Sequence, residues 1–378
     1  MISIEICPPE FDIAAHWDAL AGRAAANVFM HPAALRAAVA SGFESIHMLL
    51  AWDKSGPDKL VGFWALRERR AAPFWSFLAA PPYDYCFVSS PVIDAQYVDA
   101  VMPAFLDAIE QDKSLPNVIQ LKSLDGDSES HQAMMRALTA RHGQTLILSE
   151  RARPFLNGEA DRKRSGSTGK KLRQDWNKLS SLGAVDIANA RTPVNARDAF
   201  EVFLEMENKS WKGASGTSLL ADDDDAAFAR RLIGDLATGG NASVALLRVD
   251  GKPIAAQVLL YAGTMAYTWK IAFDAEFAKY SPGALLIDKV TDELFASGIR
   301  QIESCSADGS FMANLWTGKR NTVDMLVDVG ARKSPSFALA AAGERGYAWL
   351  RDTRNRLRAT PWLSLPKRKS LAVTPTRG

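Results

Sequence analysis

The sequence predicts an α+β fold in which one structural unit occurs twice along the chain. Apolar residues at helical and at alternating spacing divide the 378 residues into two halves. Each half shows the same order of predicted elements: two helices, an antiparallel hairpin, a strand, a helix and a further strand. Because the repeat is one of pattern and not of residue identity, it predicts a duplicated architecture and leaves the function of each copy open.

The first half begins with predicted helices near residues 11–20 and 32–39, where apolar residues recur at the spacing of a buried stripe. A hairpin follows, with strands over 46–52 and 60–66 that are joined by a Gly-Pro turn. The other predicted elements of this half are strands near 74–78, 83–88, 118–121 and 145–148, and helices over 94–109 and 130–141.

In the second half, helices over 194–211 and 226–237 precede a hairpin whose strands, 243–248 and 254–260, meet at an Asp-Gly turn. Strands over 265–271, 299–303 and 323–329 and a helix over 282–296 complete the repeat. We therefore predict a first domain over 1–155, a basic linker and helix over 156–180, a second domain over 181–335 and a C-terminal helix with a basic tail over 336–378.

Composition and charge exclude several function classes. The net charge of +2, from 45 Lys+Arg and 43 Asp+Glu, lacks the basic balance typical of nucleic-acid binding. The three cysteines are too far apart for a disulfide framework, and the five histidines lack the spacing of a zinc site, so no metal is expected. Without a signal peptide or a long apolar segment, the chain is predicted to be soluble and cytoplasmic, although its basic tail could touch an anionic membrane surface.

A candidate binding site lies at the start of the predicted helix over 282–296. Ser281 is the expected N-cap, and Pro282 fits the first helical position. Gly283 has no capping role, and a glycine there costs about 1 kcal/mol relative to alanine, which favours close approach of a ligand to the backbone. Free N–H groups at a helix start suit a phosphate or diphosphate; the alternative is a capped helix without a ligand.

These residues and their surroundings resemble the GNAT superfamily of acyltransferases. The resemblance covers about residues 160 to 335. This region is most similar to the cellulose-biosynthesis-type acetyltransferases, which are close to the FemAB-type peptidoglycan transferases. The first half matches weakly. The residues that carry the resemblance are Trp211-Lys212-Gly213, Asp250-Gly251-Lys252-Pro253 and Tyr280-Ser281-Pro282-Gly283, with Phe29-Met30-His31-Pro32 in the first half.

The resemblance implies tandem GNAT-like domains, each with a mixed, mostly antiparallel central sheet flanked by helices. It also implies binding of acetyl-CoA or another acyl-CoA where two central strands separate, and direct acyl transfer to a small-molecule amine or sugar acceptor. The residues that it places at the donor are Trp269, Ile271, Ser281, Gly283, Ala284, Leu285 and Leu286, and those that it places near the acceptor are Trp211, Lys212 and Trp316. The corresponding turn of the first half, 89–92, has no glycine, so we place the active site in the second half.

Two glutamates are candidates for the general base. Glu207 lies on the apolar side of its predicted helix, where a carboxylate must be paired, line a cavity or shift its pKa upward. Glu303 is the competitor, because its strand follows the candidate phosphate-binding helix. Either carboxylate could instead be a buried ion-pair partner. Related sequences carry a Tyr-Lys pair where this chain has Met312 and Ala313, so the usual acid for the thiolate is missing.

Two other functions stay open on the sequence alone. The basic segment over 162–178 and the basic tail are compatible with FemAB-type transfer from an aminoacyl-tRNA. The missing Tyr-Lys pair is compatible with a degenerate, non-catalytic module in polysaccharide assembly.

Overall fold

The fold is that of a computed structural model, which describes residues 1–25, 27–42, 45–72, 75–163, 166–307, 309–330 and 334–359. The described residues form a mixed sheet of thirteen strands with helices on both faces, which confirms the predicted α+β class. Beyond residue 359, the predicted basic tail lies outside the described residues.

The strands run along the chain as β1 Ile2–Cys7, β2 Ile46–Asp53, β3 Lys59–Ala72, β4 Trp75–Ala80, β5 Val92–Ile93, β6 Val118–Asp125, β7 Gln144–Leu156, β8 Val185–Ala190, β9 Ala242–Val249, β10 Lys252–Ala262, β11 Met265–Phe273, β12 Gln301–Glu303 and β13 Lys319–Asp328. The helices are α1 Ala14–Ala21, α2 Pro32–Ala40, α3 Val98–Gln111, α4 Glu129–Ala140, α5 Gly166–Ser180, α6 Pro193–Asn208, α7 Trp211–Ala214, α8 Asp223–Thr238, α9 Pro282–Ala296 and α10 Pro335–Ala359. The strand predicted near 83–88 is wrong, and β1, β5 and β8 were not predicted.

The strand order is symmetric about the centre of the sheet: β1-β2-β3-β4-β6-β13-β7-β12-β11-β10-β9-β8. The hairpin β2–β3 of the first half corresponds to β9–β10 of the second. The parallel pair β4/β6, connected by α3, corresponds to β11/β12, connected by α9. The duplicated order of elements that the sequence predicted is therefore present in the sheet.

The two halves exchange their last strands. β13 of the second half lies between β6 and β7 of the first half, and the end of β7 pairs with β12 of the second half through Phe155 and Leu156. A boundary at residue 155 or 335 therefore divides a sheet that both halves build, and the domain limits given above stay a prediction.

Alternating residues of β10 separate two apolar clusters. Val258 and Leu260 pack in the cluster that contains Phe203 of α6, whereas Leu259 packs in the cluster that contains Leu286 of α9. This alternation is the two-residue period of a strand that is buried on both faces. It places α6 on one face of the central strands and α9 on the other.

Candidate functional site

A cavity of about 1060 Å³ opens where β11 and β12 separate. Their parallel pairing ends at Tyr267 and Glu303, and the residues that line the cavity begin with Thr268 on β11 and with Cys305 after β12. The strand separation that the resemblance implied is therefore present. Seven of the predicted site residues line the cavity, namely Trp211, Lys212, Trp269, Ile271, Ser281, Gly283 and Ala284, whereas Glu207, Leu285, Leu286, Glu303 and Trp316 are outside the lining.

Ser281 does not cap α9, contrary to the expectation from sequence. It occupies the N-cap position in the left-handed conformation, with a φ of 51°, and its side chain makes no capping hydrogen bond to the described first turn. Its Oγ instead accepts a hydrogen bond of 3.3 Å from Nζ of Lys171, which also pairs with Asp175. The helix start therefore has a cation beside it in place of a side-chain cap.

The backbone at the start of α9 offers two donors to a ligand. Pro282 has no N–H, and the N–H of Leu285 donates to the carbonyl of Ser281 at 3.1 Å. The N–H groups of Gly283 and Ala284 thus have no intrahelical acceptor, while Leu285 is buried in the core. Of the residues of α9 that the resemblance places at the acyl-CoA, Gly283 and Ala284 therefore have free backbone N–H groups, whereas the N–H of Leu285 is used within the helix.

Gly283 is not required by the packing of the protein itself. A Cβ there would meet Cδ1 of Ile271 at 3.4 Å and Cδ1 of Phe273 at 3.6 Å, which are ordinary van der Waals contacts. The backbone angles are helical, so no strain would follow from a side chain. Packing therefore does not explain the glycine in the first turn, and close approach of a ligand stays a prediction.

Glu207 is fully buried and paired. Its Oε1 accepts a hydrogen bond of 2.7 Å from Nζ of Lys212 and lies 3.8 Å from Nζ of Lys270, and its Oε2 accepts from the N–H of Leu219 at 3.0 Å. A carboxylate with these partners serves as a counter-ion for the two lysines. Its predicted role as a base is not supported by contact with the cavity.

Glu303 is also fully buried, at the junction where the halves exchange strands. Its Oε2 accepts a hydrogen bond of 3.1 Å from Arg320 of β13, and its Oε1 lies 3.7 Å from Arg153 of β7. The same Oε1 accepts from the N–H of Cys305 at 3.2 Å. Burial raises the pKa of the Cys305 thiol well above its usual range, so this cavity residue stays protonated.

Lys270 lines the cavity and was not among the sequence candidates. Trp269 is an extra residue in β11 opposite the step from Val258 to Leu259 of β10, and this β-bulge directs both Trp269 and Lys270 toward Tyr85. Burial lowers the pKa of Lys270 to about 8. The sequence signal that could have identified Lys270 is the presence of a charged residue within a mostly apolar strand.

The tryptophans predicted near the acceptor have different environments. Trp211 is 71% exposed at the cavity, where an exposed indole can stack on a ligand. Trp316 is 3% exposed and packs in the apolar core with Met312 and Leu315. Leu315 lines the cavity, so Trp316 supports the wall from behind.

The first half supplies part of the same cavity, which sequence reasoning missed. In the segment between β4 and β5, residues 81–91, Phe87 lines the cavity, and the carbonyl of Tyr85 accepts a hydrogen bond of 3.0 Å from Nε1 of Trp269. The Tyr85 hydroxyl donates to Asp225 of α8. These contacts join residues far apart in sequence, so no local pattern marks them.

In the part of the chain that the structure describes, no His, Cys, Asp and Glu side chains are grouped to hold a metal ion. Within the same ranges, no helix combines the length and the apolar composition that crossing a membrane requires.

Comparison with known proteins agrees with this geometry. Residues 166–311, which include α9 and most of the cavity lining, match the family model described as an acetyltransferase (GNAT) domain. The fold is similar to the crystal structure of FemX, with a TM-score of 0.59 and 11% identity over 85% of this chain and 96% of FemX. It is also similar to the C-terminal domain of a putative lysylphosphatidylglycerol synthetase from Agrobacterium fabrum, with a TM-score of 0.52 and 12% identity over 87% of this chain and 94% of that one. No curated protein sequence matches the chain.

The second half is thus similar to a GNAT acetyltransferase domain over residues 166–311, and both halves together have a fold like that of FemX. At these identities the structural likeness concerns the fold alone.

Proposed function

We propose that the protein is an acyl-CoA-dependent N-acyltransferase that uses the cavity of its second half. The observation that carries the proposal is the pair of features that this cavity joins: the uncapped start of α9, and the amine of Lys270 on β11. The acceptor is an amine, in keeping with the small-molecule or sugar acceptor that the resemblance implies.

The donor fits the cavity by charge and by polarity. The diphosphate of CoA would accept hydrogen bonds from the N–H groups of Gly283 and Ala284, beside the positive charge of Lys171. The pantetheine would follow β11 past Ile271, whose side chain lines the cavity. This orientation brings the thioester toward Trp269 and Lys270.

Acyl transfer to an amine needs a group that removes a proton from an ammonium ion and donors for the oxyanion. It also needs a proton for the departing thiolate, and Met312, in place of the usual tyrosine, cannot supply one. Because a CoA thiolate is a tolerable leaving group, the absence of that tyrosine slows the reaction without preventing it.

Calorimetric titration with acetyl-CoA tests the donor site. The Gly283→Asp variant keeps the fold, because a Cβ fits there and an acid suits a helix start, but its charge repels the diphosphate. The matched Gly283→Asn variant has nearly the same size without the charge. We expect both variants to bind acetyl-CoA more weakly than the wild type, and Asp at least tenfold more weakly than Asn; wild-type affinity in both variants, or no binding of acetyl-CoA by the wild type, contradicts the proposal.

A second candidate donor is an aminoacyl-tRNA, which the FemAB-type resemblance implies. It is favoured by the likeness to FemX, which extends over both halves of the chain. Salt-sensitive binding of aminoacyl-tRNA without affinity for acetyl-CoA would support this donor. Binding of acetyl-CoA without acyl transfer to any amine would instead favour the non-catalytic module.

A further inference from the structure

Two lysines share one carboxylate at the end of the cavity where the thioester would lie. Lys212 and Lys270 both line the cavity, and among the described residues Glu207 is the one carboxylate in ion-pair contact with either amine. The distances are unequal, 2.7 Å to Lys212 and 3.8 Å to Lys270. Glu207 therefore neutralises Lys212, and Lys270 is the amine whose charge is poorly compensated.

The groups that face Lys270 come from four elements. Glu207 of α6 and Asp225 of α8 favour its charged form, and Lys212 of α7 opposes it. The ring of Tyr85 lies 4.6 Å from Nζ and also favours the cation. Burial is the largest effect and favours the neutral amine, so the pKa falls to about 8.

We propose, on the basis of the acyltransferase function above, that Lys270 is the catalytic residue that removes the proton from the ammonium of the acceptor. It lines the cavity beside the place where the thioester would lie, and the bulge at Trp269 holds its side chain against the 81–91 segment. The acceptor then enters between Lys270 and Phe87, so the first half forms one wall of the acceptor site.

The proton balance is simple. The neutral amine of Lys270 takes a proton from the acceptor ammonium, and the resulting free amine attacks the thioester carbonyl. When the tetrahedral intermediate collapses, a C–N bond replaces the C–S bond, and the Lys270 ammonium returns its proton to the thiolate. The amide nitrogen releases its second proton to water. A thiol has an ordinary pKa of about 8.5, so proton return from an amine with a pKa of about 8 is nearly balanced in free energy.

Competitive labelling measures the amine without any turnover. Trace acetic anhydride is applied from pH 6 to 11, and the acetylation of each lysine is read by mass spectrometry. We expect half-maximal reactivity of Lys270 near pH 8, well below the value of about 10.4 that a short lysine peptide added to the same sample should give. If Lys270 and the peptide titrate together, the proposal is overturned.

Variants then test the catalytic role with acetyl-CoA as donor. Lys270→Arg keeps the positive charge but cannot accept a proton at neutral pH. Lys270→Met removes both the charge and the proton acceptor, and its side chain is smaller than that of arginine. With ethylamine, which is protonated at pH 7, we expect kcat/KM to fall at least 100-fold in both variants. With trifluoroethylamine, which is neutral at pH 7, the loss should be at least tenfold smaller.

The controls separate this proposal from the proposed function. Both variants should bind acetyl-CoA within threefold of the wild type, and Lys178→Arg should transfer to ethylamine at the wild-type rate. Equal losses for the two amines, or an unaffected Lys270→Arg variant, assign Lys270 a structural role and overturn the inference. A wild type that binds no acetyl-CoA overturns the proposed function instead, because the labelling result does not depend on the donor.

Discussion

The two halves of the sheet differ in the gap that lies beyond the end of their parallel strand pair: it is filled in the first half and open in the second. In both, the parallel pairing, of β4 with β6 and of β11 with β12, extends over three residue pairs and then ends. In the first half, the 81–91 segment closes the gap: the N–H of Ser89 donates to the carbonyl of Ser123, and the N–H of Asp125 donates to Oγ of Ser90. In the second half, the corresponding gap is the cavity. A duplicated fold can thus keep one site and use the other copy as its wall.

The helices that connect the parallel strands, α3 and α9, also differ in the charges near their N-termini. α3 of the first half has Asp99 in its first turn, and the preceding Asp94 caps a 3₁₀ turn and pairs with Arg23 at 2.9 Å. α9 has no acid in its first turn and has Lys171 beside it. Because Asp99 lies at the positive end of α3, the start of α3 is less suited to an anionic ligand than the start of α9.

The largest expected effect concerns the junction that both halves share. Glu303→Gln removes the carboxylate that Arg153 and Arg320 share; Arg320 keeps its ion pair with Asp125, whereas Arg153 loses its carboxylate partner. We expect the free energy of unfolding to fall by about 3 kcal/mol, as measured by urea denaturation. The control is Glu205→Gln, an exposed carboxylate paired with Lys209, for which the loss should be under about 0.5 kcal/mol.

A stable Glu303→Gln variant that loses acyl transfer would contradict this structural role. It would return Glu303 to the place that the sequence suggested, as a base.

The next effect concerns the contact between the halves at His31. Its Nδ1 accepts from the N–H of Ala33, its Nε2 lies 3.3 Å from Nδ2 of Asn241, and burial, with a smaller effect of Arg36, lowers its pKa to about 4. Between pH 6.5 and 4 the unfolded chain therefore binds a proton that the folded chain does not. Stability is full above pH 6.5 and should be about 1 to 2 kcal/mol lower at pH 5.

Urea denaturation at pH 8 and pH 5 measures this loss, with His31→Gln as the matched variant. Part of the loss should disappear in the variant, because its side chain takes up no proton. An identical pH dependence in the two proteins would show that His31 does not report on the contact between the halves.

A smaller effect is expected at the cation beside α9. Lys171→Ala should weaken acetyl-CoA binding about fivefold at low ionic strength, and less at high salt, because this side chain is 62% exposed and its charge is screened. Lys178→Ala on the same helix should have no effect. Equal changes in the two variants would mean that the charge of α5 as a whole attracts the donor.

The smallest expected effect concerns α3 of the first half. Removing an acid from the closed copy, in Asp99→Ala, should change acetyl-CoA affinity by less than about twofold, because α3 does not border the cavity. One acetyl-CoA per chain should still bind, as measured by calorimetry. A second equivalent of bound acetyl-CoA would show that the first half retains a site of its own.

Sequence patterns predicted the elements of the fold better than the contacts of the site. The hairpins and α9 followed from apolar spacing and turn residues, and Gly283 and Ser281 do lie at the cavity. The burial of Glu207 also followed from its position on α6. Its pairing with Lys212 and Lys270 did not, since a helical pattern shows which face is buried but not which charges meet there.

The cap of α9 shows the same limit at short range. Serine before proline favours an N-cap, but the left-handed backbone of Ser281 turns its hydroxyl toward Lys171 instead. The helix that follows Ser281 packs on β10 and β11. The local preference of serine for a cap is thus not realised in the folded chain.

By itself, the sequence determined the class of the fold, its duplication and the half that contains the candidate phosphate site, because these depend on periodicity and on single residues such as Gly283. The tertiary structure decided the exchange of β7 and β13, the closure of the first copy by its own 81–91 segment and the placement of Lys270 against Tyr85. Each of these joins residues distant in the chain. The energy of such contacts depends on burial and on pairing, which local spacing does not contain.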